Sequence, residues 1–254
     1  MLSLTENIVI GIVVLAAALV FMAAVNRLWP AKARYAQEDL IGWQLNILAV
    51  TYAVILGFML FTEWTNFSAS QVNVELEANS LRNVFRLAEG LPSPARAQLE
   101  KEAREYAAAV LTDDWPLMAK GQTPELTHSI NRSMWSTLMS VRQGSPAEMT
   151  ALDHALTELS SMTQYRRTRL LQSINSLPTI FWCLLLVGGI LTVGSVAMFG
   201  SSNARVHVFQ VVSLTLLITI VMLAISDLDR PFQGWIHVDD YPFQRAHDNM
   251  NEIQ

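Results

Sequence analysis

Four stretches of the sequence are long, apolar and free of charged residues. They cover residues 8–25, 43–61, 179–199 and 206–226, and each has 18 to 21 residues. An α-helix of this length crosses the roughly 30 Å of hydrocarbon in a bilayer. Charged residues make up only 15% of the chain, whereas a typical soluble domain has about 25%. The sequence therefore predicts four transmembrane helices.

The segment between the second and third apolar stretches predicts a helical domain rather than a linker. Three pairs resemble helix starts, with a capping side chain followed by proline: Ser93-Pro94, Thr123-Pro124 and Ser145-Pro146. Glu148 completes a capping box with Ser145. Alternating strand patterns and Asn-Gly turns are absent from this part of the sequence.

The predicted fold class is an all-α membrane protein with four transmembrane helices. A helical extramembrane domain is inserted between helices 2 and 3. The predicted domains are residues 1–64 with transmembrane helices 1 and 2, residues 65–178 with the helical extramembrane domain, residues 179–226 with transmembrane helices 3 and 4, and residues 227–254 as an interfacial C-terminal segment.

The second transmembrane helix is predicted to continue well beyond the membrane, because residues 43–89 contain no proline and only one glycine. Polar side chains recur along it at helical spacing. Such a stripe can line a water-filled path, and carboxylates at its mouth attract cations. The alternative is that Glu63 is an interfacial residue and that the rest simply faces solvent. The pore-lining candidates are Asn46, Ala53, Gly57, Glu63, Asn66, Ser70, Asn73 and Glu77.

A dense group of charged, aromatic and turn-forming residues follows the fourth apolar stretch. Pro231 cannot continue a helix, and Gly234 permits a turn. The aspartates and Arg230 are expected to pair with one another, and a tryptophan at this position suits the membrane interface. This structural interfacial motif consists of Asp227, Asp229, Arg230, Pro231, Phe232, Gly234 and Trp235.

Three segments of the chain resemble the bacterial bestrophin-like membrane proteins. They are VELEANSLRNVFRLAEGLP at 74–92, YRRTRLL at 165–171 and LDRPFQGWIHV at 228–238, and the resemblance covers nearly the whole chain. It implies a homo-oligomeric, usually pentameric, ion channel whose second helix lines the pore. It also implies a cytoplasmic location for the helical domain and both termini, whereas the positive-inside count of the loops is a near tie.

Other function classes find little support in the sequence. It contains no glycine-rich phosphate loop, HExxH or GxSxG motif, so we expect no enzyme activity and no cofactor. The spacing of the tail residues matches no standard metal site, so no metal is predicted. The net charge of −5 and the lack of a dense basic stretch exclude nucleic acid as an expected partner. The tail residues considered are His237, Asp239, Asp240, His247 and Asp248.

The first functional hypothesis is a bestrophin-like oligomeric channel that passes small cations through a pore lined by transmembrane helix 2. Its expected partners are the lipid bilayer, small inorganic ions and other copies of the chain. A pentamer is the favoured oligomer. The expected location is the bacterial inner membrane. The alternative is a membrane-anchored sensor or scaffold whose helical domain binds a ligand or a partner protein.

Overall fold

The computed structural model describes residues 4–34, 37–199 and 203–252, which form helices and loops with no β-strand among them. The helices are α1 (Leu4–Leu28), α2 (Ala31–Arg34), α3 (Glu38–Ala88), α4 (Ala95–Ala109), α5 (Trp115–Ala119), α6 (Leu126–Ser140), α7 (Pro146–Ile174), α8 (Thr179–Met198), α9 (Ala204–Leu228) and α10 (Tyr241–Glu252). A π-helical turn, Val110–Asp114, joins α4 to α5.

Four of these helices, α1, α3, α8 and α9, are long and apolar enough to cross a membrane. They cover the four uncharged stretches almost completely, so the predicted all-helical class with four candidate spans is confirmed. The longest, α3, has 51 residues without interruption. At 1.5 Å per residue it is about 75 Å long. The predicted continuous second helix is therefore present.

The described residues form two compact units. One, here named the α4–α7 unit, lies within residues 66–175 and 230–254 and includes the second half of α3 and all of α10. The other, here named the apolar-helix unit, lies within residues 2–65 and 176–229 and includes α1, α8, α9 and the first half of α3.

The core of the apolar-helix unit consists of two groups of buried side chains. One contains Ala18, Met22, Val196, Ala197 and Val211, and the other contains Tyr52, Leu56, Leu185, Ile218 and Ile225. The Tyr52 hydroxyl donates a hydrogen bond of 2.8 Å to the carbonyl of Leu185. Its ring lies so close to Gly188 that a Cβ there would be 2.5 Å from a ring carbon. Glycine at this position therefore allows α3 and α8 to approach each other.

A buried arginine caps the C-terminal end of α8. The Arg34 guanidinium donates to the carbonyl oxygens of Ala197, Met198 and Phe199 at 3.3, 3.0 and 3.4 Å. It also donates to the side chain of Asn26. The last carbonyls of a helix lack partners within the helix, so a positive donor at that end satisfies them.

In the α4–α7 unit, α4 packs against α6 and α10, and α6 packs against α7. Its core includes Leu81, Leu99, Met134, Leu138, Leu159, Met162 and Phe243. The predicted capping box at the start of α7 is confirmed by Ser145 and Glu148. The other two predicted caps are wrong. Helix α4 begins after Pro94 and α6 begins after Glu125, and neither start has a side-chain cap.

Candidate functional site

The structure divides the predicted pore-lining residues of α3 into two groups. Asn46, Ala53, Gly57 and Asn66 are exposed on the protomer, whereas Glu63, Ser70, Asn73 and Glu77 are buried. A side chain that is buried within its own protomer cannot form the wall of a water-filled path between protomers. The structure therefore corrects the assignment of the four buried side chains to such a wall.

The buried polar residues in the second half of α3 belong to a packing face. The Asn73 amide donates a hydrogen bond of 2.8 Å to the carbonyl of Tyr165 on α7. The Ser70 hydroxyl donates to the carbonyl of Asn66 on its own helix at 2.9 Å. Helical spacing predicts that these residues lie on one side of α3, and the Asn73 contact shows this side meeting α7 rather than water.

Glu77 is part of a buried ion cluster, here defined as Glu77, Asp114 and Arg169. Nε and Nη2 of Arg169 donate to the two carboxylate oxygens of Glu77 at 2.7 and 3.0 Å. Nη2 also donates to Asp114 at 2.7 Å. All three side chains are fully buried. Paired oxygens facing the planar guanidinium fork give a strong and directional contact.

Neutral hydroxyl groups complete the hydrogen bonding of the ion cluster. The Tyr106 hydroxyl donates to Glu77 at 2.7 Å, and the Thr127 hydroxyl lies 3.0 and 3.1 Å from the two oxygens of Asp114. Nε of Arg166, one turn before Arg169 on α7, donates to the Thr127 oxygen at 3.0 Å. The two carboxylates are thus held by donors from α4, α6 and α7.

Burial and charge act in opposite directions on the groups of the cluster. Burial lowers the pKa of the Arg169 guanidinium, but Glu77 and Asp114 outweigh it and raise the pKa above its usual value. Burial raises the pKa of the Asp114 carboxyl, although Arg169 and Thr127 oppose the shift. Burial, with a further contribution from Glu77, raises the pKa of Tyr106 well above its usual value. Arg169 therefore stays charged at physiological pH.

The π-helical turn explains how Asp114 reaches the ion cluster, because the extra residue in the turn rotates the following side chains relative to α4. The next residue, Trp115, lies 5.7 Å from the Arg169 guanidinium. Phe243 of α10 lies 5.8 Å from the same group, and Phe232 contacts Trp115 edge-on at 5.7 Å. Two aromatic rings thus lie beside the arginine, and the cluster joins α3, α7 and the turn at a place where Phe243 of α10 also packs.

The sequence patterns do not identify this cluster, and they predict a pore-lining role for its member Glu77. Arg166 and Arg169 are three positions apart in the YRRTRLL segment and share a helix face with buried Met162 and Ser173. Two arginines on the packed face of a helix indicate buried acidic partners, and this is the sequence feature that points to the cluster. The site is a structural ion cluster that holds the helices together, because its guanidinium is already paired with both carboxylates.

The interfacial motif begins at the end of α9. The buried Asp229 carboxylate accepts a hydrogen bond of 2.5 Å from the backbone N–H of Leu177, just before α8. Arg230 is exposed. The expected ion pair in a dehydrated turn is therefore corrected, because the aspartate binds a backbone donor and the guanidinium is in contact with solvent. Asp227, one turn earlier than Arg230, is partly exposed.

The rest of the motif forms a turn within the α4–α7 unit. The backbone N–H of Val238 donates to the carbonyl of Pro231 at 2.7 Å, and Phe232 is buried. Gly234 has a φ of 91°, a conformation that strongly favours glycine. This turn leaves Trp235 mostly exposed, at 70%.

The apolar half of α3 presents a broad face that its own protomer does not cover. Phe58 and Phe61 are 69% and 67% exposed, and no atom lies within 4 Å of a Cβ placed on Gly57. Polar residues are also exposed within and beside the apolar run, namely Gln44, Asn46, Thr51, Thr62 and Thr65. The exposed face of α1 between residues 8 and 25 is instead apolar throughout.

Within the described part of the chain, no three His, Cys, Asp or Glu residues are placed to hold a metal ion. Asp239 and Asp240 are neighbours in the tail, and burial together with Asp239 raises the pKa of the Asp240 carboxyl. The side chain of Gln244 donates to Asp240 at 2.8 Å.

Comparison with known proteins gives a consistent result. A family model described as the Bestrophin-like domain matches residues 12–243. Crystal structures of two mutants of a bacterial bestrophin homologue from Klebsiella pneumoniae each superpose with a TM-score of 0.72. They are 12% and 13% identical in sequence, and the alignments cover 95% of this chain and 98% and 99% of theirs. A crystal structure described as that of a membrane protein superposes with a TM-score of 0.72. It is 11% identical in sequence, and the alignment covers 98% of both chains. A sequence search of curated proteins gave no match.

Proposed function

The chain belongs to the bestrophin-like family, and on this premise we propose that it forms an oligomeric ion channel in a membrane. The observation that carries the proposal is the exposed face of α3. Within a helix apolar enough to span a bilayer, it combines Gly57 and exposed aromatic residues with polar side chains such as Asn46 and Thr51. Polar groups at membrane depth are unfavourable against lipid and suit a water-filled path.

The contrast with α1 supports α3 as the pore helix. Both helices leave most of their apolar segments uncovered, with only 11% of each segment buried. The α1 surface suits contact with lipid because it is apolar throughout. We therefore assign the pore wall to the α3 residues that are exposed on the protomer, Asn46, Ala53 and Gly57 among them, and assign lipid contact to α1.

Exposed apolar residues farther along α3 favour assembly. Val72 and Leu76 belong to the α4–α7 unit, one turn apart on α3, and are 56% and 39% exposed. In the proposed topology residues 65–178 lie outside the membrane, where adjacent exposed apolar side chains mark a candidate surface for contact with a partner. A second copy of the same chain is the partner proposed, and the family resemblance favours a ring of five.

The proposed location is the bacterial inner membrane, with the extramembrane domain and both termini on the cytoplasmic side. This orientation follows the family resemblance, and a reporter fusion at Gln254 tests it. Cytoplasmic reporter activity supports the assignment. Alkaline phosphatase activity at this position would reverse it.

The transported species is proposed to be a small inorganic ion, and no catalytic step is assigned to the chain. The sequence favours cations because it places the Glu63 carboxylate at the mouth of the pore. Glu63 is buried within the protomer, which removes this charge argument for cations. Cation passage therefore remains a hypothesis, which the reversal potential in a salt gradient decides.

Recording from purified protein in planar bilayers tests the channel function. We expect discrete conductance steps from a preparation that imaging shows to be a ring with a central hole. An intact ring that remains electrically silent across voltage and pH would contradict conduction. A monomer or dimer would instead favour the sensor or scaffold hypothesis.

A further inference from the structure

Three arginines gather on the surface of the α4–α7 unit, at a place where α3 and α10 meet. The Arg245 guanidinium of α10 donates to the Glu75 carboxylate of α3. The Asn79 amide donates to the same carboxylate at 3.4 Å, and Arg82 in turn donates to the Asn79 side-chain oxygen. These contacts link Arg245 to Arg82 through two side chains. Arg86 lies one turn beyond Arg82 on the same side of α3, close enough for the two side chains to interact.

The positive charge of this group exceeds the negative charge that opposes it. Glu75 is the carboxylate that acts on Arg82, and it is already bound to Arg245. Among the described residues, Arg82 and Arg86 form no ion pair. Burial lowers the pKa of the Arg82 guanidinium, and Arg245 and Arg86 lower it further against the opposing effect of Glu75. Like charges are therefore concentrated at one point on a chain whose net charge is −5.

The three guanidinium groups differ from the arginine of the buried ion cluster in one important respect. Arg169 is fully buried, and its Nε, Nη1 and Nη2 atoms all donate to buried acceptors, namely two carboxylates and the Met118 sulfur. Arg245 is 42% exposed, Arg86 is exposed and Arg82 is partly exposed. Their unused N–H groups are accessible from solvent. A guanidinium has five donors in a planar fork, and this geometry matches the oxygens of a phosphoryl group.

We propose that Arg82, Arg86 and Arg245 form a binding site for a multivalent phosphoryl anion, with Glu75 and Asn79 positioning two of the guanidinium groups. A dianion placed between the three arginines accepts hydrogen bonds from donors on α3 and α10 and neutralises the excess charge. A monovalent halide has neither the charge nor the several oxygens needed to engage them together. The same phosphoryl chemistry occurs in free phosphates and in anionic lipid headgroups.

Calorimetric titration of the intact protein with inorganic pyrophosphate tests the site. The protein is held in nanodiscs of phosphatidylcholine, which carries no net charge, and sodium chloride at matched ionic strength is the control titrant. A hydrogen bond to a charged group contributes enough that removing one guanidinium weakens binding by about tenfold or more. We therefore expect such a loss for Arg82→Gln and for Arg86→Gln. Arg132→Gln, which alters an exposed arginine elsewhere on the unit, is the matched control and leaves the affinity unchanged.

Arg86→Gln protects the experiment against misfolding, because the exposed Arg86 side chain makes no hydrogen bond or ion pair with the described residues that the substitution would remove. A second titration, in nanodiscs containing phosphatidylglycerol, distinguishes the two sources of the phosphoryl group. A lipid headgroup is identified as the competing ligand if phosphatidylglycerol weakens pyrophosphate binding to the unmodified protein but not to Arg86→Gln. Unchanged pyrophosphate binding identifies a soluble phosphate compound.

Two results would overturn the proposal. The first is that the unmodified protein, Arg82→Gln and Arg86→Gln bind pyrophosphate with the same affinity in both lipids, or that none of the three binds it. The other is loss of the oligomer on size-exclusion chromatography in the arginine variants, which would assign the cluster to carboxylates of a neighbouring copy. Both measurements are independent of ion conduction, so failure of the channel proposal would leave this test intact.

Discussion

Replacing Arg169 by methionine tests whether the buried ion cluster stabilises the α4–α7 unit. The substitution removes the three hydrogen bonds of 2.7, 3.0 and 2.7 Å to Glu77 and Asp114. It leaves two fully buried carboxylates without their cation. Removing one partner of a buried ion pair costs about 3–5 kcal/mol, chiefly because the remaining charge is no longer compensated.

This cost converts into a measurable loss of thermal stability. For a chain of this size, 1 kcal/mol corresponds to about 2–4 °C, so we expect the unfolding midpoint to fall by roughly 6–20 °C. The midpoint is measured in detergent by the fluorescence of tryptophan, and Trp115 lies beside the cluster. Arg167→Met on the same helix is the control, because Arg167 is exposed and a surface change typically shifts stability by no more than about 0.5 kcal/mol.

The dependence on pH has a definite sign. Burial already raises the pKa of Asp114, and removal of Arg169 raises it further. A carboxyl whose pKa is higher in the folded state loses stability as the pH rises through that pKa. The decrease of the unfolding midpoint caused by Arg169→Met is therefore greatest at neutral pH and becomes smaller in mild acid. Adding Glu77→Gln and Asp114→Asn, which removes both charges, restores most of the midpoint.

An equal decrease of the midpoint in Arg169→Met and Arg167→Met would refute a stabilising role of the ion cluster. A larger decrease of the Arg169→Met midpoint in acid than at neutral pH would refute it too, because the loss of stability could not then come from uncompensated carboxylates.

Two further predictions concern the apolar-helix unit. Gly188→Ala places a methyl group against the Tyr52 ring and should lower the free energy of unfolding by about 1–3 kcal/mol. The control Gly57→Ala adds its methyl group to open space and should leave the thermal midpoint nearly unchanged. Asp229→Ala leaves the partly buried backbone N–H of Leu177 without its acceptor and should lower the free energy of unfolding by about 1 kcal/mol. The control Arg230→Ala, at an exposed position, should alter neither the thermal midpoint nor the yield of oligomer. Equal effects within either pair would contradict the assigned contacts.

The four candidate spans and the start of α7 could be predicted because their signals are local. An uncharged stretch of adequate length specifies a spanning helix by itself. The capping box requires only Ser145 and Glu148, three positions apart. Similarly, the lack of proline in residues 43–89 was enough to predict an uninterrupted α3.

The ion cluster could not be found in this way because its partners are distant in the chain. Glu77 and Arg169 are 92 positions apart, and Asp114 and Arg169 are 55 apart. Helical periodicity shows which side chains share a face of α3, but it does not show whether that face meets water or another helix. Periodicity alone therefore predicts a pore wall for the polar stripe, although Asn73 in that stripe donates to α7.

The role of α3 in the proposed channel is tested most directly by a cysteine at Gly57. The chain has one native cysteine, Cys183, which is exposed, so the substitution is made together with Cys183→Ser. Gly57→Cys adds a side chain into open space, and Val20→Cys on the exposed surface of α1 is the control.

In planar bilayers, a charged, membrane-impermeant thiol reagent is applied while single-channel current is recorded. We expect the reagent to reduce or abolish conductance in Gly57→Cys and to leave the conductance of Val20→Cys unchanged. Unchanged conductance in Gly57→Cys, with the modified cysteine verified by mass spectrometry, would contradict the assignment of this face of α3 to the pore.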